Sequence, residues 1–234
     1  MQRYFSKELK NNIFTLNKDD LYHIIKVMRM KQNELIEVVF DHEVYLCKLN
    51  ADYEADKIKI IEKDKSNIIK RVLIIPLLKE QKFDLILQKA TELGVDEIIP
   101  VIMERSVVKR TPEKEEKKLE RWSKIIKEAS EQSKRTDIPS ITKVRKLNEL
   151  EELDGLKMVC STSTKTLQFK NFLTNNKNYD KINIVIGPEG GISPKEEEYL
   201  EKIGFTRVSL GSKIMRVETV PMFVLSVLNY ENME

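Results

Sequence analysis

The stretch at residues 182–221 reads INIVIGPEGGISPKEEEYLEKIGFTRVSLGSKIMRVETVP, and it decides the fold class of the chain. Its first residues are almost wholly apolar, as expected for a strand buried on both faces of a sheet. The apolar run stops at the segment GPEGG (187–191), where glycine allows positive φ and a close approach of the backbone to a ligand. Ser193, Pro194 and Glu196 then predict the capped start of a helix.

A second strand and a second glycine turn follow this helix. Residues 207–210 predict a short strand, Gly211 ends it, and an apolar helix is predicted to begin near Pro221. A strand, a glycine loop and a helix in that order commonly build a small-molecule site at the carboxyl edge of a parallel sheet. We therefore expect the two strand ends to form two walls of one cavity, although ordinary strand-to-helix turns give the same pattern.

The nucleotide signatures of other α/β proteins are absent from the chain. Neither the phosphate loop GxxxxGK[ST] nor the dinucleotide fingerprint GxGxxG occurs in the sequence. A nucleoside triphosphate or a dinucleotide is therefore disfavoured as the ligand.

The remaining pattern predicts two domains in the 234-residue chain. Residues 1–68 read as a small β-rich domain with one helix, whose capped start is predicted at Asn17. Residues 71–234 alternate strands with helices, which favours a parallel α/β sheet. The polar stretch 63–70 is the predicted linker. No apolar run approaches the ~20 residues of a membrane span, and the first residues lack the apolar centre of a signal peptide, so we expect a cytoplasmic protein.

The charges are nearly balanced, with 41 basic and 38 acidic residues and a net charge of +3. Their distribution is more informative than their sum, because basic residues concentrate near residues 3–31 and again at 105–110 and 134–135. The lysines of 113–127 alternate with glutamates at helical spacing, which is typical of a solvated helix face. Cys47 and Cys160 lie far apart in apolar segments, and we interpret both as buried thiols without a metal or disulfide role.

The motifs IGPEGG and LGSKIMRVET resemble the two C-terminal motifs of the knotted SPOUT methyltransferases. The closest resemblance is to the RsmE family, which methylates N3 of one uridine in small-subunit ribosomal RNA. Further segments are similar to the same family, in the same order: RYF (3–5), HIIKVMRM (23–30), QKATELGVDEIIP (88–100), ERSVVK (104–109) and EQSKRTDIP (131–139). The sequence departs from the family pattern at Ser212, Val217, Val220 and Pro221.

The resemblance implies an α/β fold in which a knotted SPOUT-type parallel sheet (71–234) follows a PUA-like RNA-binding β-barrel (1–68). It also implies a homodimer, S-adenosylmethionine as the cofactor, 16S ribosomal RNA of the small ribosomal subunit as the partner, and no metal. Phe223, Val224, Val227 and Leu228 are then expected at the dimer interface, although ordinary core packing explains these residues equally well. The cofactor-binding residues it implies are Thr162, Ile186, Gly187, Glu189, Gly190, Gly191, Leu210, Gly211, Ile214, Met215, Arg216 and Thr219.

Methylation of uridine N3 requires loss of a proton, and the resulting negative charge spreads onto O2 and O4. A fixed cation beside those oxygens stabilises the charged form more than the neutral base. Arg216 is the predicted cation, and Glu218 is predicted to orient it or to accept the proton. The alternative is that Arg216 and Glu218 only pair with each other at a helix start.

Six residues are predicted to contact RNA, mainly on the strength of the resemblance: Arg3, His23, Arg29, Arg105, Lys134 and Arg135. An arginine at a strand end, such as Arg105, is suited to bidentate binding of phosphate. His23 and Arg29 also have an interpretation as helix-surface groups without a ligand. Lys134 and Arg135 have one as part of a charged helix exit. Two other functions remain open, namely another SPOUT RNA methyltransferase, such as one acting on a ribose hydroxyl, and an RNA-binding protein without catalysis.

Overall fold

The computed structural model describes residues 1–63, 69–109, 112–163 and 166–232. The chain divides into a first unit, Met1–Ser66 with Ser130–Ile138, and a second unit, Asn67–Ala129 with Pro139–Glu234. The segment Ser130–Ile138 therefore groups with the first unit, although the sequence assigned it to the second domain. Most of the predicted linker, residues 64–68, lies outside the described residues.

The first unit is built on a sheet of mainly antiparallel strands. In chain order these strands are β1 (Arg3–Phe5), β2 (Leu9–Lys10), β3 (Ile13–Phe14), β4 (Leu35–Phe40), β5 (Glu43–Leu49) and β6 (Ala55–Lys63). They are arranged as β1-β4-β5-β6-β3-β2, with β1 parallel to β4. Register shifts within the β5–β6 pair add local twist, which curls the sheet. This architecture confirms the predicted β-rich N-terminal domain.

One helix accompanies this sheet. α1 (Lys18–Tyr22) begins after Asn17, whose side-chain oxygen accepts a hydrogen bond from the Asp20 amide at 2.9 Å, as the sequence predicted. The helix continues as a turn of π-helix over His23–Val27. Ile24 projects from that turn into the core of the unit.

The second unit contains a parallel sheet. Its strands are β7 (Lys70–Pro76), β8 (Glu97–Ile102), β9 (Ser140–Ile141), β10 (Arg145–Lys146), β11 (Leu156–Cys160), β12 (Leu167–Gln168), β13 (Lys181–Val185) and β14 (Thr206–Ser209). They are arranged as β10-β8-β7-β13-β11-β14-β12, with β9 beside β8, and each described pair is parallel. The predicted α/β class with a parallel sheet is confirmed.

The helices that follow α1 in the chain are α2 (Glu80–Glu92), α3 (Glu115–Gln132), α4 (Phe169–Asn175), α5 (Pro194–Lys202) and α6 (Thr219–Glu231). α6 begins two residues before the predicted start at Pro221, because proline is tolerated in the first turn, where its missing N–H has no partner within the helix. α3 is preceded by a 3₁₀ turn at Pro112–Lys114. Within the described ranges, no helix has the length and apolar character needed to cross a membrane.

Both faces of the parallel sheet are buried. Leu73 and Ile75 of β7 pack in one apolar cluster with residues of α2 and α6, whereas Val72 and Ile74 pack in another with Leu200 of α5. All four β7 side chains are inaccessible to solvent. This two-sided burial explains why the strands appear in the sequence as continuous apolar runs rather than alternating ones.

The sheet order brings three strand ends together. β11 lies between β13 and β14, and all three run in the same direction. Their carboxyl ends therefore share one edge of the sheet, where α/β proteins usually bind their ligands.

Candidate active site

A cavity of about 620 Å³ lies at this edge of the second unit. It is lined by the glycine loop 187–191 after β13, by residues 160–162 at the end of β11, and by residues 214–217 between β14 and α6. Its volume falls within the range of roughly 300–1,000 Å³ that is usual for small-molecule sites. The cavity is therefore large enough for a cofactor.

The backbone of the glycine loop has a conformation that favours glycine. Gly191 has a φ of +72°, and its amide donates to the Pro188 carbonyl oxygen at 2.8 Å. A Cβ on Gly187 would lie 2.6 Å from Cγ1 of Ile192, which leaves no room for a side chain there. At Gly187 the close neighbour is therefore a side chain of the protein itself, and the approach of the loop backbone to a ligand stays a prediction.

Gly190 is packed against the segment that follows β8. A Cβ on Gly190 would lie 3.1 Å from Cβ of Arg105, and Nη1 of Arg105 donates to the Gly190 carbonyl oxygen at 3.1 Å. Arg105 also lines the cavity. The structure therefore brings this predicted RNA-contacting residue to the glycine loop.

A capping box fixes the helix that leaves the loop. The amide of Glu196 donates to Oγ of Ser193 at 3.4 Å, and the amide of Ser193 donates to Oε2 of Glu196 at 3.0 Å. Oε1 of Glu196 accepts a further hydrogen bond, at 2.7 Å, from the amide of Glu104. The Glu196 carboxylate thereby ties the start of α5 to the segment that carries Arg105.

Lys82 of α2 brings a positive charge to the lining of the cavity. Its Nζ donates to Oε1 of Glu189 at 2.9 Å and lies 3.8 Å from Oε2 of Glu218. Burial alone raises the pKa of Glu189, but the hydrogen bond and the charge of Lys82 outweigh burial and hold the pKa below its usual value. The same hydrogen bond raises the pKa of Lys82. Sequence reasoning missed Lys82, because nothing in the pattern of α2 distinguishes it from the other lysines.

Arg216 and Glu218 do not pair with each other in the structure. Arg216 is exposed, and its side chain forms no hydrogen bond or ion pair with any described residue. Oε2 of Glu218 is buried and accepts no hydrogen bond from the residues that the structure describes. The site therefore contains an available guanidinium and a carboxylate oxygen with an available lone pair.

Ser161 and Glu197 form a second polar group in the cavity wall, also missed by sequence reasoning. Oγ of Ser161 donates to Oε1 of Glu197 at 2.5 Å and accepts from the amide of Ser163 at 3.0 Å. Oε2 of Glu197 lies 3.3 Å from Nη1 of Arg207. These contacts hold the end of β11 against α5, so the wall of the cavity is fixed by side chains from separate elements.

The cavity collects most of the predicted cofactor-binding residues, but not all of them. Those that line it are Thr162, Ile186, Gly187, Glu189, Gly190, Gly191, Ile214, Met215 and Arg216. Leu210 and Gly211 line a separate cavity of about 740 Å³, and Thr219 is an exposed residue that lines neither. The expectation that the ends of β13 and β14 form two walls of one cavity is therefore wrong for Leu210 and Gly211. The chain turns at Gly211, which has a φ of +122°, and returns to the first cavity only at residues 214–217.

Two of the four apolar residues expected at a dimer interface belong to the core. Val224 and Leu228 are buried inside the second unit. Phe223 and Val227 line the second cavity, and Phe223 is 38% exposed. Core packing thus explains Val224 and Leu228, Val227 is partly buried against the same core, and only Phe223 of the four is exposed.

In the first unit, the predicted RNA contacts Arg3, Lys134 and Arg135 lie together, and the Arg135 guanidinium pairs with Asp137 at 2.8 Å. Arg3 is 6% exposed and pairs with Glu37 at 2.8 Å and with Glu62 at 3.0 Å. Its Nη1 also donates to the carbonyl oxygens of Lys134 and Arg135. Nζ of Lys134 lies 2.9 Å from Glu37. These partners enclose the guanidinium of Arg3, which therefore fastens the segment 130–138 to β1 and β4. The contact of Arg3 with RNA stays a prediction.

The other two predicted contacts of this unit lie on and after the π-helical turn. Nδ1 of His23 and the hydroxyl of Tyr4 share a hydrogen bond of 3.0 Å. Arg29 is exposed and has a φ of +53°. Arg29 is therefore available to a ligand, whereas His23 is held by a core tyrosine.

The described side chains include no group of three His, Cys, Asp or Glu residues that could hold a metal ion. Cys47 and Cys160 are free thiols; Cys47 is buried as predicted, whereas Cys160 is half-buried and lines the cavity. Burial raises the pKa of each to about 12. Neither thiol is therefore ionised near neutral pH.

Family models define the class of the protein. Residues 64–229 match the RNA methyltransferase domain, and residues 16–68 match the RNA methyltransferase PUA domain. Both matches agree with the parallel sheet of the second unit and the curled sheet of the first. The fold is that of an RNA methyltransferase with a PUA domain.

The chain belongs to the ribosomal RNA small subunit methyltransferase E family. It is 36% identical to the member from Mesomycoplasma hyopneumoniae (strain 232), over 97% of this chain and 98% of the relative. It is 34% identical to the member from Bacillus subtilis (strain 168), over 99% and 97% of the two chains.

Solved structures agree with this membership. A protein from Legionella pneumophila, solved in complex with the cofactor SAM, superposes with a TM-score of 0.90 at 26% identity, over 99% of this chain and 98% of the other. The ribosomal RNA small subunit methyltransferase E of Neisseria gonorrhoeae, solved bound to S-adenosyl methionine, superposes with a TM-score of 0.84 at 28% identity, over 99% and 98%.

Proposed function

We propose that the protein transfers the methyl group of S-adenosylmethionine to N3 of one uridine in 16S ribosomal RNA. The observation that carries the proposal is the cavity at the carboxyl edge of the parallel sheet, which Arg216, unpaired among the described residues, lines together with the glycine loop. The relatives named as small-subunit ribosomal RNA methyltransferases support the substrate class, and the neighbours solved with the cofactor support the methyl donor.

The residues of the cavity fit the cofactor. Ile214 is apolar yet 87% exposed at the cavity, which is typical of a side chain that covers an apolar ligand group. The glycine loop presents backbone groups that can bind polar edges of an adenosine without obstruction by side chains. We assign the adenosine to the backbone of 187–191 and to the side chains of Ile186 and Ile214. The predicted contributions of Thr162, Leu210, Gly211 and Thr219 stay part of the proposal.

When bound, S-adenosylmethionine supplies an electrophilic methyl group on a sulfonium, so the protein does not need to activate the donor covalently. The work of the chain is to orient the uridine and to stabilise its deprotonated form. The N3–H bond breaks and its proton passes to an acceptor. An N3–CH₃ bond forms while the S–CH₃ bond breaks, and a neutral thioether remains.

We assign two roles to residues of this chain. The Arg216 guanidinium stabilises the negative charge that develops on O2 and O4 of the pyrimidine, because it is free of an internal partner. The Glu218 carboxylate accepts the N3 proton or orients Arg216, since its Oε2 has an unused lone pair.

The two parts of the chain receive separate tasks in this proposal. Residues 1–68 dock the RNA, with Arg29 at an exposed position, and residues 71–234 carry out the chemistry. The proposal includes a homodimer formed through the outward side of α6, where Phe223 is exposed, and a trefoil knot in the second domain. It also includes action in the cytoplasm, because the substrate is ribosomal.

One experiment tests the reaction directly. Purified protein is incubated with small ribosomal subunits that lack the modification and with isotopically labelled S-adenosylmethionine, and the methylated nucleosides are identified by mass mapping. We expect 3-methyluridine at a single position. A ribose-methylated nucleoside would instead support the other SPOUT chemistry, and no transfer together with no heat of cofactor binding would leave only an RNA-binding role.

A further inference from the structure

Lys82 occupies a bridging position in the cavity. It lies in the first turn of α2, and its Nζ reaches both Oε1 of Glu189, at 2.9 Å, and Oε2 of Glu218, at 3.8 Å. Glu189 belongs to the glycine loop, 107 residues further along the chain, and Glu218 is the residue that precedes α6. The ammonium group of Lys82 thus lies between two walls of the cavity. One is the glycine loop, which we assign to cofactor binding, and the other is the segment of Glu218, which we assign to catalysis.

This bridge bears on the state of Arg216. Glu218 follows Arg216 by two residues, and a carboxylate this close in sequence is an available partner for the guanidinium. An Arg216–Glu218 ion pair would neutralise the cation that the reaction uses, so of the two roles proposed for Glu218 this arrangement favours proton acceptance. In the structure Oε2 of Glu218 is instead buried and lies 3.8 Å from Nζ of Lys82, and Arg216 has no partner among the described residues.

The contacts of Lys82 differ from those of an ordinary surface ion pair. Lys89, on the same helix, pairs locally with Glu92 three residues away at 2.8 Å, and its side chain is 38% exposed. Lys82 has nearly the same exposure, 36%, but its partners are two carboxylates of the cavity. Exposed local pairs contribute little to stability, whereas a bridge between two functional loops determines the geometry between them.

We infer that Lys82 is a positioning residue for methyl transfer, whose ammonium group holds Glu189 and Glu218 in place and so keeps Arg216 available to the substrate. This inference rests on the proposed function. Lys82 does not touch the reacting atoms in this scheme, because it acts through the two carboxylates.

The test compares Lys82→Met with Lys89→Met as the matched control. We expect Lys82→Met to lower kcat about 30-fold while KM for RNA and Kd for S-adenosylmethionine change less than about threefold, because only an arrangement needed in the transition state is lost. Lys89→Met should match the wild type in all three quantities. Lys82→Arg, which keeps the charge, should recover most of the turnover.

A double-mutant cycle tests whether Lys82 acts through Glu218. We expect Lys82→Met combined with Glu218→Gln to be no more than about threefold slower than Glu218→Gln alone, because coupled residues are not additive. Fully additive losses would overturn the inference, as would a Lys82→Met enzyme with the wild-type kcat.

Lys82→Gln serves as a second variant with the same expected losses should Lys82→Met fail to fold. A wild-type protein that methylates no uridine contradicts the proposed function itself, whereas an active wild type with an unaffected Lys82→Met variant contradicts only this inference.

Discussion

Nη1 of Arg105 donates a hydrogen bond to the carbonyl oxygen of Gly190 at 3.1 Å, and the two residues lie 85 positions apart in the sequence. The contact joins the segment after β8 to the glycine loop after β13. The loop therefore takes its shape partly from a residue that belongs to another strand end. Substitutions at either residue are expected to affect the cavity that both of them line.

Gly190→Val should abolish binding of S-adenosylmethionine without unfolding the protein. The new Cβ would lie 3.1 Å from Cβ of Arg105, and the remaining atoms of valine force the two segments apart. Calorimetry measures the affinity, and circular dichroism checks the fold. Thr206→Val, at the amino end of β14 and away from the site, should bind normally. Retained affinity in Gly190→Val would mean that the loop is only a turn.

Arg216→Ala should reduce turnover by about 10²-fold, the effect typical of losing one group that stabilises developing charge. The affinity for S-adenosylmethionine should change less than about threefold, because Arg216 acts on the uridine. Single-turnover kinetics and calorimetry measure the two quantities. Lys213→Ala, an exposed charge in the same segment, is the control. Equal losses in turnover and cofactor affinity would contradict the assigned role.

Glu196→Ala should lower the free energy of unfolding by about 1–3 kcal/mol, the cost of leaving hydrogen-bonding groups without partners. The variant removes the acceptor of two backbone amides, those of Glu104 and Ser193. Urea denaturation measures the change. Glu198→Ala, exposed on the same helix, should leave the stability unaltered. If the two variants are equally stable, the capping box does not hold the loop.

Glu37→Gln should destabilise the protein by about 2 kcal/mol at neutral pH, since a carboxylate bonded to charged donors is lost. Burial raises the pKa of Glu37, but the hydrogen bonds from Lys134 and Arg3 outweigh it and lower the pKa in the folded protein. The stabilisation is therefore present above the unfolded carboxyl pKa of roughly 4.3 and disappears as the pH falls through the lower folded value.

The difference in unfolding free energy between the wild type and Glu37→Gln should accordingly shrink on acidification, as measured by urea denaturation from pH 7 to pH 3. Lys10→Met, which breaks the solvated Lys10–Glu8 pair, should have no measurable effect at any of these pH values. A pH-independent difference would exclude the Glu37 carboxylate as the source of the stability.

Arg29→Ala should weaken RNA binding and reduce the slope of log Kd against log salt concentration by about one, as expected for one lost phosphate contact. Fluorescence anisotropy with a small-subunit RNA fragment at several salt concentrations measures both. Lys48→Ala, exposed on β5, serves as the comparison. An unchanged slope would place the RNA away from the end of the π-helical turn.

Local features of the fold followed from the sequence alone. The apolar run 182–186, the capping box of Ser193 and Glu196, and the Asn17 cap were all predicted, because each depends on residues that are close neighbours in the chain. The parallel sheet was predicted for the same reason, since alternating strands and helices leave a periodic pattern. The motif resemblance added the cofactor and the candidate residues of the cavity.

Only the tertiary structure decided which side chains meet. It revealed Lys82 between Glu189 and Glu218, the packing of Gly190 on Arg105, the enclosure of Arg3, and the separate cavity at Leu210 and Gly211. Most of these contacts are between residues that are distant in the chain. The separate cavity depends on where the loop after β14 turns. Hydrophobic periodicity and capping motifs describe only neighbours within a few residues, so the partners of a long charged side chain emerge only when the sheet has brought its strand ends together.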